Sequence, residues 1–339
     1  MWRPYHLLTL LALLLTVACA QQQTETNAVT PVYGPKEFTV PPFTAVVVAY
    51  EPELLGVLST IETIPHAAIT EEVTFKGVKY RLGYYRDTPI VIFATGMSIA
   101  NAALTMQMAF DYFPVEQVVY MGIAGAINPS LKPGDVIVPE RWYYHDESVY
   151  ANPNPAGDGH LVPNYYQAFL DEQPARRADD PFLPKYENFG IVHPDEVLVI
   201  KDGYDKPKDT AYFAATPRLI DIAKQAIDAL PPISVSETRY SKMYVGGNGV
   251  TGSVFLDNRD YRKWVRKVFN AEVTEMESAA IGQVSYINDI DWVVIRAVSD
   301  LAGGQEGVNE EDVYDKAASI VGAKVLFEML EKMAQKSPN

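Results

Sequence analysis

The chain has one cysteine, Cys19, in 339 residues. A disulfide framework and a cysteine-based zinc site each need several thiols, so neither can form within the chain. Histidine is also scarce: five scattered copies argue against a His-rich metal cluster, and nothing in the sequence calls for a cofactor. Positive charge is in deficit, with 28 Lys and Arg against 43 Asp and Glu, a formal net charge of −15. Such a chain cannot neutralise a run of phosphates, which disfavours a nucleic-acid polymer as partner, and an anionic lipid surface would repel it. Apolar side chains, in contrast, make up 48% of the residues and charged ones only 21%. That suffices for a full core and excludes global disorder, leaving one large domain or two ordinary ones.

The lone cysteine has a local context. Arg3 and His6 precede an apolar run from Leu7 to Val17, which ends in Ala18-Cys19-Ala20 and three glutamines. This is the pattern of an export signal, short for a permanent membrane span. Two processing routes fit. One is cleavage after Ala20. The other is cleavage before Cys19 with lipidation there, because Leu15-Thr16-Val17-Ala18-Cys19 resembles a bacterial lipobox, with Thr16 where Leu is usual. Residues 1–20 are thus expected to be a signal peptide, and residues 21–42, rich in Gln, Thr and Pro, a flexible tether. The expected location is the periplasm, with a lipid anchor to a membrane if Cys19 is modified.

From residue 43 to 339 the sequence predicts one α/β domain. Short apolar runs at 44–50, 90–94, 117–121, 135–138 and 292–296 lack polar alternation, as strands covered on both faces do. Helix candidates lie at 53–63, 98–113, 218–230, 278–288 and 311–336, so strand and helix alternate as in a sheet between helix layers. Hairpin-like stretches at 73–85 and around Val245 predict that the central sheet of this three-layer αβα fold is mixed. Residues 150–208, dense in Pro, Asn, Asp and Tyr, break the rhythm and read as a long ordered excursion from the core. It would be either surface decoration or a wall over a site or an oligomer contact.

Three segments carry chemical interest. The stretch 119–125, VYMGIAG, runs a buried strand into small residues that would let a ligand approach the backbone, although a packed tight turn explains it equally well. In 274–280, TEMESAA, a carboxylate at the start of an Ala-rich helix is locally favourable without any function. A carboxylate can also accept both hydroxyls of a ribose diol. In 294–303, VIRAVSDLAG, an apolar strand delivers Arg296, Ser299 and Asp300 at its C-terminal end, where ligand crevices of open α/β sheets lie; an Asp there can equally be a helix cap.

Taken in order, these segments resemble the nucleoside phosphorylase/nucleosidase superfamily, and within it the 5′-methylthioadenosine/S-adenosylhomocysteine nucleosidases. The resemblance rests on MGIAGAINPSLKPGDVIVP followed by Tyr144-His145-Asp146, on TEMESAAIGQV and on VIRAVSDLAGG, supported by AYEPELLGVL and the glycine turn of FATGMSIANAAL. It spans most of 44–150 and 244–332. It implies a phosphorylase/hydrolase-like fold, a purine nucleoside as ligand and a homo-oligomer, dimeric by analogy. It also implies roles residue by residue. Glu53 would be the base that activates water, and Asp300 the acid at purine N7. Glu277 would hold the ribose hydroxyls over Met276. Arg296 and Thr95 would lie near the nucleophile, with Gly96 in the adjoining turn and Gly125 at the strand end. Ser299 would adjoin the base, and Phe255 would stack on it.

The chemistry requires such a set. An N-glycosidic bond breaks through an oxocarbenium-like state, so the leaving purine needs a proton while water attacks the other face. Asp300 must carry the proton and Glu53 the charge at one pH. Phosphorolysis would need a cationic pocket, whereas the turn at 50–54, YEPEL, offers two acids and no base. Hydrolysis is therefore expected, and Asp rather than Asn at position 300, with the resemblance, implies a purine nucleoside of the adenine type. The alternatives are a phosphate-dependent phosphorylase and a non-catalytic nucleoside-binding or storage relative. Pro52, Ser253 in place of the family's usual Asp, and the 150–208 excursion depart from the family around the expected pocket.

Overall fold

The computed structural model describes residues 41–309 and 311–336. The expected signal peptide, Cys19 and all but the end of the tether lie outside them. Twelve strands form one mixed sheet. In chain order they are β1 (Phe43–Val48), β2 (Ala67–Phe75), β3 (Val78–Tyr85), β4 (Thr88–Ala94), β5 (Val115–Ala126), β6 (Val136–Val138), β7 (Arg141–Tyr144), β8 (Phe213–Ala214), β9 (Met243–Val245), β10 (Asn248–Thr251), β11 (Ala271–Glu275) and β12 (Asp291–Asp300). The helices are α1 (Glu51–Ile61), α2 (Ile99–Tyr112), α3 (Asn164–Asp179), α4 (Pro217–Ala229), α5 (Arg259–Phe269), α6 (Ser278–Ile287) and α7 (Glu311–Lys336).

The spatial order is β8-β7-β10-β11-β5-β1-β4-β3-β2, with β12 on β5 and β6, and β9 on β6. Strands β4, β1, β5 and β12 run parallel, whereas β2, β3 and β4 form an antiparallel meander. Successive side chains of a strand face opposite ways, and both faces here are apolar. Val46 and Val48 join a core with Val57 and Ile61 of α1, Leu219 of α4 and Leu326 of α7. Ala45 and Val47 join a second core with Met106 of α2 and Ile281 of α6. This is a three-layer αβα arrangement around a mixed sheet.

Two expectations need correction. The stretch around Val245 is not a hairpin. Gly246 and Gly247 take φ of 131° and 75°, and the chain leaves β9, parallel to β6, to enter β10, parallel to β7. The 150–208 excursion contains the unforeseen helix α3, and it contributes no residue to the cavity described below. It leaves after β7, toward the far edge of the sheet. There Tyr143 donates to the Phe182 carbonyl, Trp264 to that of Glu187, and Arg176 pairs with the buried Glu196.

Candidate active site

A cavity of about 340 Å³ opens at the C-terminal ends of β1, β5, β11 and β12, within the range of small-molecule sites. Its lining includes Glu53, Gly125, Phe255, Met276, Glu277, Ser299 and Asp300. Seven residues singled out from the sequence thus come together. Arg296, Thr95 and Gly96 do not line it. Arg296 is fully buried behind the wall, and the Thr95 hydroxyl donates to the Gly96 carbonyl at 2.8 Å. Tyr50, Met97, Glu275 and Glu311 line it without having been assigned a place there.

Glu53 sits in the first turn of α1. Pro52 is tolerated beside it because a proline in the first helical turn forfeits no hydrogen bond. The carboxylate reaches back to the turn that follows β1, accepting from the amides of Ala49 (2.6 Å) and Tyr50 (3.3 Å), while its other oxygen accepts from Ile123 N on β5 (2.8 Å). Only 1% exposed, Glu53 has its carboxyl pushed up by burial, and the Arg296 guanidinium and those three amides pull against the rise. The sequence reading required an ionised Glu53. The structure gives it a raised proton affinity, which brings a general base closer to neutral pH.

The two glutamates at the start of α6 divide the work. Glu275, the last residue of β11, accepts from Glu277 N (3.0 Å) and Ser278 N (2.9 Å), so it is the acid that caps the helix. Glu277 is left free to face the cavity, accepting from Ser98 N (2.7 Å) and from the Tyr120 hydroxyl (3.2 Å). Arg296 lies under this group. It pairs closely with Glu275, stands 3.6 Å from Glu277 and 3.9 Å from Glu53, and donates to the Ile123 carbonyl at 3.2 Å. One guanidinium among three buried carboxylates leaves a surplus of negative charge. Burial and the Glu275 charge push Glu277 up to about 8.

That surplus has a testable sign. Because the folded-state value of Glu277 is raised, its favourable contribution is complete below about 4.5 and is lost as pH rises through about 8. Glu277→Gln stays neutral throughout. Its stability, read from melts at each pH, is expected to exceed that of the parent increasingly from pH 5 to pH 9, by on the order of 1–3 kcal/mol at the alkaline end. A gap that narrows with rising pH would contradict this.

Asp300 owes its position to a bulge. Val298 pairs with Ala124 and Asp300 with Gly125, so Ser299 is an extra residue in β12, and such bulges re-aim neighbouring side chains. No helix begins at Asp300. Its Oδ1 instead accepts from Ala302 N at 2.7 Å, and the Ser299 hydroxyl donates to Oδ2 at 2.9 Å. Glu53 is held against β5 at Ile123 N, and Asp300, which ends β12, stands beside Gly125 of the same strand, where a Cβ would lie 2.9 Å from its Oδ1.

Gly122 makes the close packing possible. A Cβ there would overlap the Arg296 guanidinium and lie 2.5 Å from Glu53 Oε1. Gly122→Ala is expected to cost about 1–3 kcal/mol of stability by overpacking and to displace Glu53. Thermal melts and turnover assays check both effects.

A family model of the Phosphorylase superfamily matches residues 44–333, and the chain belongs to that superfamily. Among curated relatives, the 5′-methylthioadenosine/S-adenosylhomocysteine nucleosidase of Mycobacterium bovis is 28% identical over 249 residues, covering 71% of this chain and 80% of that protein. The Staphylococcus aureus protein of the same name is 26% identical over 271 residues, covering 78% and 94%. A solved Helicobacter pylori nucleosidase of that name superposes with a TM-score of 0.60 over 86% of this chain and 98% of its own. At 18% identity this is a likeness of fold.

Proposed function

We propose that the protein hydrolyses the N-glycosidic bond of a purine nucleoside of the adenine type, such as 5′-methylthioadenosine or S-adenosylhomocysteine, releasing free base and a ribose derivative. Asp300 donates the proton to the departing purine, with Ser299 orienting its carboxyl. Glu53 takes the proton of the attacking water. Glu277 binds the ribose diol over Met276, and Phe255 folds onto the base from the rim. Arg296 acts from behind, holding Glu53 and Glu277 in place.

The observation that carries this reading is the charge of the cavity. Its described lining holds five acids, Glu53, Glu275, Glu277, Asp300 and Glu311, and no Lys, Arg or His. A neutral nucleoside is compatible with that wall, whereas inorganic phosphate would find no cationic side chain in it to pair with. The relatives named above as nucleosidases support the same substrate class. Purified protein incubated with 5′-methylthioadenosine, S-adenosylhomocysteine, adenosine and inosine is expected to release free base from the adenine nucleosides. Binding without base release would refute the enzymatic reading.

Met97, Val254 and Phe255 at the mouth and Leu104 on α2 are exposed apolar side chains, which supports a homodimer covering them. The export pattern of residues 1–20 supports action in the periplasm, with Cys19 as the lipidation point.

A further inference from the structure

The turn between β4 and α2 holds a residue in a backbone conformation that its side chain opposes. Ser98 has φ 83° and ψ 155°, a region that glycine enters freely and other residues enter only under constraint. Each polar group of Ser98 is in use. Its N–H donates to Glu277 Oε1 at 2.7 Å, and its carbonyl accepts the first bond of α2, from Ala102 N at 3.0 Å. Its hydroxyl donates to the Ser253 hydroxyl at 3.1 Å. A glycine would satisfy the backbone and keep the first two bonds. What serine adds, against the backbone preference, is the third.

That third bond joins the two halves of the cavity. Ser253 lies in the segment 252–256, whose Val254, Phe255 and Leu256 line the cavity. The segment is pinned from its other side by Ser253 N donating to Asp146 Oδ2 at 2.6 Å. Gly252 is packed so closely against His145 that a Cβ would overlap the imidazole. The Ser98 end is fixed to Glu277, on the ribose side.

We propose that Ser98 is a positioning residue that ties the ribose-binding carboxylate to the base-covering segment, so that Glu277 and Phe255 close on one nucleoside together. This rests on the nucleosidase reading for its functional consequence, but the tie itself can be read in the free protein. Losing one neutral hydrogen bond predicts a modest effect concentrated in KM.

Three variants test it: Ser98→Gly, Ser253→Ala and the double variant. In the free protein, Ser98→Gly is expected to speed amide hydrogen exchange across 252–256 without lowering the melting temperature, since glycine suits this backbone. With a nucleoside that the parent cleaves, KM is expected to rise about three- to tenfold, more than kcat falls. Ser253→Ala should do the same, and the double variant should be no worse than either single one. Ser98→Ala, which keeps the constrained backbone but lacks the hydroxyl, should match Ser98→Gly in KM. Unchanged exchange and KM in Ser98→Gly, or multiplied effects in the double variant, would overturn the proposal. A parent protein that neither binds nor cleaves nucleosides would overturn the functional reading, while the exchange rates would still judge the tie.

Discussion

Asp300→Asn is expected to lower purine release by about 10²- to 10⁴-fold at saturating substrate, the span of general acid catalysis by one group. Asparagine has the same shape, and its carbonyl oxygen can still accept from Ala302 N, so the turn after β12 should survive. It has no proton to give to a departing purine. Substrate should therefore still bind, with an affinity within about tenfold of the parent, while single-turnover assays show the chemical step lost. Equal losses in binding and turnover would mean that Asp300 shapes the cavity without acting as the acid.

Glu53→Gln should be at least as damaging, for a second reason in addition to the loss of the base. Three backbone amides, from Ala49, Tyr50 and Ile123, all donate to the Glu53 carboxylate. A glutamine must turn its NH₂ group toward one set of these donors, leaving buried N–H groups face to face. Turnover is expected to fall by about 10²- to 10⁴-fold or more. In the parent, the acid limb of kcat/KM should lie above the ordinary carboxylate range, because burial raises Glu53. A limb at about 4.3, the value of a free glutamate, would contradict that placement.

Much of this site could be read from sequence because its carriers sit at the ends of continuously apolar strands. β1, FTAVVV, and β12, DWVVIRAVSD, announce burial on both faces, so the acids following or ending them stand at a crevice. β11 was harder to see. Its sequence, AEVTE, reads as polar, yet all five residues are buried. Glu272 is satisfied by Arg266, Asn128 and Tyr244, and Glu275 by Ser278 and Arg296, partners that only the fold brings together. Likewise α5 was missed although Asn258 caps it and Trp264, Val265, Val268 and Phe269 mark its buried face; that spacing was the available signal. Glu311 reaches the cavity from a helix that the sequence reading recognised only as a helix, because its place depends on how α7 lies across α1 and β12. The 150–208 excursion hid α3 because Pro174 interrupts the helical pattern and, with only Tyr166 and Gln173 buried, no apolar stripe marks a packed face.

The central claim is that an acidic cavity selects water as the nucleophile on a purine nucleoside. Its most direct test is the fate of the sugar when purified protein turns over an adenine nucleoside in ¹⁸O-labelled water with millimolar inorganic phosphate present. The expected result is free adenine with one ¹⁸O at the anomeric position of the free sugar, at a rate independent of phosphate. Formation of a sugar 1-phosphate, or the absence of any released base, would contradict it.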